Sequence, residues 1–408
     1  MKILFVSQYY PPESNAPANR VSALAAFWAE QGEQVSVLTG FPNHPEGQVY
    51  PGYRAWFPTK GYHDGVRVIR TPIFASANRG IWLRSATYAS FFASASVLGP
   101  LLADRPDVVI ATSPQLLVGV AGAWLARMWR RPFVLEIRDL WPDSIVAVNA
   151  LPAGHPVIQG LHRVERQLYH QADHIVVLTE AFKRILNSRG VSESKLTVIP
   201  NGLDTELFDA NVQPGDPVGH NDPYVGRFVV CYAGTVGMAH GLGTLLQAAH
   251  LLVDIPEVLF IVAGEGAERE ELEARVRQDG LTNVRFIGRL PREKIPGLLR
   301  RADVVLVMLR ASELFRTVIP SKIFEAMGCA RPILLGVDGE VRELIEKAGC
   351  GVFFQPDDAQ ALAMAVRDLV RDDARRCEMG AAGRVFALAR YDRRELSARY
   401  LAVLRQLW

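Results

Sequence analysis

A chain of 408 residues is too long for one compact core, so two domains are the default expectation. Hydrophobic residues at 49% against 22% charged residues exclude a disordered chain, and a formal net charge of +2 excludes a nucleic-acid binder working through bulk charge. The four cysteines, Cys231, Cys329, Cys350 and Cys377, are scattered without metal-ligand spacing, and no disulfide framework is expected.

The chain opens with the strand-like run Met1-Lys2-Ile3-Leu4-Phe5-Val6, without the basic start, apolar core and cleavage site of a signal peptide. Cytoplasmic residence is therefore expected. Further strands are expected at Val35–Leu38, Val66–Arg70, Val108–Ala111, Phe133–Glu136, Ile175–Leu178 and Thr197–Ile199. Helix-length stretches lie between several of them, at Ala18–Glu30, Leu116–Trp129, Val157–His170 and Glu180–Ser188. The apolar stretch Ile81 to Leu102 carries Arg84 and many hydroxyls, which suits a buried or interfacial helix better than a spanning one.

The pattern then restarts. Strands are expected at Phe228–Ala233, Leu259–Ala263, Val284–Ile287, Val304–Met308, Ile333–Leu335 and Val352–Phe354, again alternating with helices. Apolar strands separated by helices indicate parallel sheets covered on both faces. Residues 209–226, rich in Pro, Gly, Asp and Asn, read as the linker. The expected organisation is an N-terminal domain 1–208, the linker 209–226, a second domain 227–385, and a last helix 386–408 packing back on the first domain. The fold class is α/β, with two doubly wound domains facing across a cleft and ligand loops at the carboxyl ends of the strands. The arginines after Asp358 read mainly as a solvated helix face.

Chemistry is written most densely in the second domain. Gly234, Thr235, Gly237 and His240 follow its first strand, where glycines let the backbone approach a ligand ahead of a helix N-terminus. Gly264 and Gly266 follow the next strand, with a plain turn and a nucleotide contact equally open. The most informative segment runs from Thr317 to Gly328. Pro320 and Ser321 are expected to start a helix, Lys322 to add a positive charge suited to a diphosphate, and Glu325 to reach the same place and accept from ribose hydroxyls.

These residues carry a resemblance. Pro11-Pro12-Glu13, Gly32-Glu33-Gln34-Val35, Asp173 to Thr179, Ile199-Pro200-Asn201-Gly202-Leu203-Asp204, Val262 to Gly266, Phe286-Ile287-Gly288-Arg289 and Phe324-Glu325-Ala326-Met327 occur in an order that resembles the family 4 retaining glycosyltransferases across essentially the whole chain. The resemblance implies the GT-B fold, two Rossmann-like domains with the acceptor on the first and the nucleotide sugar on the second. Arg138-Asp139-Leu140-Trp141-Pro142, Thr39 to Gly47 and Pro320-Ser321-Lys322 resemble the bacterial N-acetylfucosaminyltransferase branch of surface polysaccharide synthesis.

Carried over residue by residue, Glu325 matches the ribose-binding glutamate, while Thr317 stands where a sugar-binding carboxylate is usual. Thr235 and His240 stand where the family commonly has arginine and lysine. Lys322, with the amides of Ser321 and Lys322, is then expected to carry more of the diphosphate charge, with Arg289 a second candidate. Arg138 stands where the family often has a histidine near the sugar, and Asp139 would orient the acceptor hydroxyl; a structural role, with Asp139 capping the following turn while Arg138 pairs with it or with Glu136, is equally open.

The resemblance implies a UDP-linked donor as substrate, no cofactor, and a lipid-diphosphate-linked saccharide acceptor in O-antigen or capsule synthesis. No aspartate pair spaced by one residue is present, so no metal is expected. Peripheral contact with the inner membrane face is expected at Phe57, Ile81, Trp82, Phe91 and Phe92 beside Arg79 and Arg84, with core packing of these aromatics as the alternative. A sugar-nucleotide epimerase and a non-catalytic nucleotide-sugar-binding partner subunit remain open.

Overall fold

The structure is a computed structural model. It describes the whole chain except residues 45–46, 54–55, 77–80, 114, 149 and 210–223. The chain divides into two compact units, residues 1–200 with 394–408, and residues 201–393.

The first unit holds eight strands: β1 Lys2–Val6, β2 Gln34–Gly40, β3 Thr59–His63, β4 Val66–Thr71, β5 Val108–Thr112, β6 Phe133–Ile137, β7 His174–Val177 and β8 Leu196–Val198. Their order is β3-β4-β2-β1-β5-β6-β7-β8, and β3 alone pairs antiparallel. The order reverses between β1 and β5, so helices cover both faces and the carboxyl ends of β1, β5 and β6 share one edge. The β3 strand is an addition to the expected elements.

On one face of this sheet the Ala16–Glu30 helix starts where the Asn15 side chain accepts from the Ala18 N–H at 3.0 Å. Its Trp28 is fully buried between Phe5 and Tyr400, and the indole N–H donates to the Ser397 carbonyl at 3.0 Å. Truncating such a side chain costs about 3–5 kcal/mol. The Arg393–Leu407 helix completes this face by supplying Leu396, Tyr400, Leu401 and Leu404.

The second unit holds β9 Phe228–Ala233, β10 Val258–Ala263, β11 Val284–Gly288, β12 Val304–Met308, β13 Ile333–Gly336 and β14 Gly351–Phe353. The sheet is parallel throughout in the order β11-β10-β9-β12-β13-β14. Alternate residues of its strands feed two separate cores, Val229, Cys231 and Ile261 on one face and Val230, Tyr232 and Phe260 on the other.

The division between units falls at Pro200 and Arg393, ahead of the expected 209–226 linker, of which 210–223 lies outside the described residues. The reason is packing: Leu203 and Phe208 are buried in the core of the second unit. The return to the first unit comes at Arg394 rather than 386, because Ala387 is buried in that same core.

The Ile81–Leu102 helix forms as expected. Of the aromatics expected at a membrane face, Phe91 is instead fully buried. Residue 79 and the side chains of residues 81, 82 and 84 lie outside the described residues. Among the described residues no helix is long and apolar enough to cross a membrane.

Candidate functional site

Beyond the carboxyl ends of β9 and β10 the two glycine loops continue to pair. The Gly234 N–H donates to Ala263 at 2.8 Å, Val236 to Glu265 at 2.9 Å, and Glu268 back to the Val236 carbonyl at 3.2 Å. A Cβ at Gly264 would stand 1.8 Å from the Gly234 carbonyl oxygen, and one at Gly266 2.0 Å from that of Val236. These two glycines are required by the close approach of the loops themselves. Gly234 is different: a Cβ there would lie 2.7 Å from the Lys322 ammonium, so the missing side chain makes room for that cation.

The Lys322 Nζ is enclosed and has no hydrogen-bond partner, although the residue as a whole is only half-buried. It stands 3.9 Å from the centroid of the Tyr232 ring. Burial pushes its pKa down to about 8, with Glu325 and Cys231 opposing. An enclosed ammonium that faces an aromatic ring and has no hydrogen-bond acceptor carries unmet donors. Tyr232 was not singled out from the sequence, although it precedes Gly234 by the two-residue period of a strand and so shares its side of the sheet.

His240 closes the same cluster. Its ring lies edge-on to Tyr232 at 6.1 Å between centroids, and its Nδ1 is enclosed without a partner. Burial and the Lys322 charge push its pKa down to about 3, so the imidazole is neutral where the related position was read as commonly cationic. Thr235 is exposed, and Gly237 turns the chain through its carbonyl, which accepts from His240 N–H at 2.8 Å.

The helix after Pro320 spans only Lys322–Gly328. The helix starts at Pro320-Ser321 as expected; Ser321 takes a helical conformation and its side chain makes no capping bond. Glu325, one turn further, is half-buried; burial raises its carboxyl pKa, opposed by Arg292, Arg393 and Lys322. Those two arginines are held by Asp204, at 2.7 Å from Arg292 and 2.9 Å from Arg393. This carboxylate–arginine group was not foreseen, because Asp204 and Arg393 are far apart in sequence.

Thr317 ends a short turn, and its hydroxyl donates to the Leu314 carbonyl at 2.6 Å. Arg289 is exposed immediately after β11.

In the first unit, Arg138 follows β6. Its N–H donates to the Ser113 Oγ at 2.8 Å, while its Nε and Nη1 are enclosed without partners. The structural pairing with Glu136 does not form. That carboxylate is taken by Arg20 at 3.0 Å and by the Thr112 hydroxyl at 2.7 Å. Burial pushes the Arg138 pKa down to about 10, with Glu136 opposing and Arg20 adding to the shift. Burial also raises the Asp139 carboxyl. In the second unit Gly234, His240, Lys322 and Glu325 lie together, while among the described residues no contact links Arg289 or Thr317 to them; each unit holds an enclosed cation with unpartnered nitrogens, Lys322 and Arg138.

Residues 15–202 match the family described as glycosyl transferase 4-like domain, and residues 220–386 match the one described as glycosyl transferases group 1. The chain belongs to the glycosyltransferases. One relative of this glycosyltransferase is WcaI of Escherichia coli K12, named for colanic acid biosynthesis, 26% identical over 90% of this chain and 91% of the relative. Among solved structures, sucrose-phosphate synthase from Thermosynechococcus elongatus superposes with a TM-score of 0.78 at 20% identity, covering 100% of this chain and 98% of that one. Anabaena Alr3699/HepE, in complex with UDP-glucose, gives 0.71 at 20% identity with both chains fully covered. At that identity the likeness identifies the fold, which is GT-B.

Proposed function

We propose that this glycosyltransferase moves a sugar, an N-acetylated deoxyhexose, from a UDP-linked donor to a lipid-diphosphate-linked saccharide, with retention at the anomeric carbon. The observation that carries this reading is the enclosed, unpartnered Lys322 ammonium beside Gly234. A diphosphate seated there would supply the acceptors that the ammonium lacks. Glu325 would hold the ribose, and Gly264 and Gly266 would shape the floor. The complexes of HepE with UDP and UDP-glucose support a uridine nucleotide. The name of WcaI, which refers to colanic acid biosynthesis, supports a place in polysaccharide synthesis.

In this reading the leaving diphosphate gains charge in the transition state, and the preorganised Lys322 cation stabilises it more than the ground state. A leaving-group oxygen takes the acceptor proton, so no protein base and no metal ion is needed. Arg138 is assigned to an anionic group of a substrate and Asp139 to the acceptor hydroxyl. A second reading, a subunit that binds nucleotide sugar without transferring it, draws on one observation: the Thr317 hydroxyl proton is committed to Leu314. Screening UDP-, GDP- and dTDP-sugars for nucleotide release with and without lipid extract tests the proposal. Release dependent on extract supports transfer; binding without release under either condition supports the second reading.

A further inference from the structure

The Lys322–Gly328 helix is clasped by two segments from opposite ends of the second unit. Leu203 and Phe208 pack so closely on Gly328 that a Cβ there would stand 2.4 Å from the Leu203 Cδ1 and 3.0 Å from the Phe208 Cβ. From the other segment, Tyr391 meets Phe324 with ring centroids 4.7 Å apart. Asp204 follows Leu203, and Arg393 lies two residues past Tyr391. The clasp therefore delivers an acid and a base to the helix that carries Glu325.

Three cations act on Glu325, yet none pairs with it. Burial raises its carboxyl pKa, and the charges of Arg292, Arg393 and Lys322 oppose that rise. Among the described residues the Glu325 carboxylate makes neither an ion pair nor a hydrogen bond.

Both arginines are turned to Asp204 instead. Its Oδ2 takes Arg292 Nη2 at 2.7 Å and Arg393 Nη1 at 2.9 Å, while its Oδ1 accepts from the Leu207 N–H at 3.2 Å. Arg393 also donates to the Gly202 carbonyl at 3.3 Å, whereas Arg292 pairs with no other carboxylate among the described residues. A half-buried guanidinium that loses its carboxylate gains by pairing with another, and Glu325 is the other acid of this cluster.

We infer that Asp204 is a positioning residue for the nucleotide: it ties back Arg292 and Arg393, so that their charge acts on Glu325 while both oxygens of that carboxylate stay open to ribose hydroxyls. A direct arginine–Glu325 pair would supply the same charge but occupy the oxygens that the ribose needs. Asp204 separates the two effects. The inference rests on the ribose role of Glu325.

The test is calorimetry on the full chain with UDP and with 2′,3′-dideoxy-UDP, which lacks the ribose hydroxyls. The wild type is expected to bind UDP about tenfold or more tighter, the size of hydrogen bonds to a carboxylate. Asp204→Asn keeps an oxygen for the Leu207 N–H and offers the arginines no charge. Its ratio should fall below about threefold, with the melting temperature little changed. Removing the released cation as well, in Asp204→Asn/Arg292→Gln, should return the ratio to about tenfold. The ratio is read within each variant, so a change in stability does not disguise it. A wild type with no preference, or with no UDP binding, would remove the ribose role of Glu325 and the inference with it. A wild-type preference that Asp204→Asn retains, even with both nucleotides weakened alike, would overturn the inference alone. So would a double variant whose ratio stays as low as that of Asp204→Asn.

Discussion

The Lys322 ammonium rests 3.9 Å from the centre of the Tyr232 ring, enclosed and with no hydrogen-bond acceptor in reach. The Tyr232 hydroxyl is itself committed, donating to the Thr235 carbonyl at 2.6 Å, so the ring is held in place as a platform. The cation is thereby fixed in position while remaining undercompensated.

Such a charge costs stability, and removing it should return some. Lys322→Met is expected to raise unfolding stability at pH 7 by about 1–3 kcal/mol, the size of a pKa displacement of this kind less the lost cation–π attraction. Because the folded-state value of about 8 lies below the ordinary 10.5, the cost is fully present below pH 8 and gone above 10.5. The advantage of the variant should therefore shrink across that window in urea unfolding. The same variant should lose UDP affinity and activity; an unaltered rate would remove Lys322 from the site.

Donor affinity should follow the same titration in the opposite sense. Lys322 is charged below about pH 8, so UDP binding measured by calorimetry should weaken as pH rises through 8, by up to about tenfold per unit. His240, held neutral down to about 3, should add no step near pH 6.5 in the free enzyme. Lys322→Arg should flatten the alkaline limb, and a flat wild-type profile from pH 7 to 9.5 would contradict the assignment.

The two glycine loops make a sharper steric forecast. Gly264→Ala places a methyl 1.8 Å from the Gly234 carbonyl oxygen, at a φ of 151° that side chains rarely adopt. The loops must part, and a loss of about 2 kcal/mol or more is expected, together with donor binding. Gly237→Ala meets nothing nearer than Thr235 at 3.6 Å and should melt within a few degrees of the parent. Comparable melting temperatures for the two variants would show that the loops are not packed as described.

Glu136 is a fully buried carboxylate of the first unit, paired with Arg20. Glu136→Ala would leave Arg20 with the Pro200 and Ile199 carbonyls and Thr112 with the Ser113 carbonyl, the buried charge of Arg20 no longer balanced by Glu136 beside the unpartnered Arg138, a loss of about 3–5 kcal/mol. Glu136→Gln keeps an acceptor and should lose less. The ordering Ala below Gln below wild type in chemical denaturation is the check.

Much of the fold was legible because buried parallel strands are continuous apolar runs. Phe228–Ala233 and Val304–Met308 were read to the residue. β3 was not, since all five residues of Thr59–His63 are exposed and carry no apolar alternation. The unit boundary was misplaced because turn-rich composition at 209–226 says nothing about Leu203 and Phe208 sinking into a core upstream of it. At the candidate site, spacing pointed to Lys322, Glu325 and the glycines. It could not reveal that Gly264 and Gly266 answer to backbone oxygens, nor that Tyr232 underlies the ammonium. Those relations cross between strands, loops and a distant helix, and only folding brings them into register.

One consequence concerns the stretch from Asn201 to Arg393. Its two ends are laced together, Leu203 N–H donating to the Tyr391 carbonyl at 2.7 Å and Arg393 N–H to the Leu203 carbonyl at 3.0 Å. A segment that enters and leaves through a single stitched doorway is in effect an insert within its host chain. It lends itself to excision as a free-standing piece, and the host to rejoining by a brief bridge across the gap.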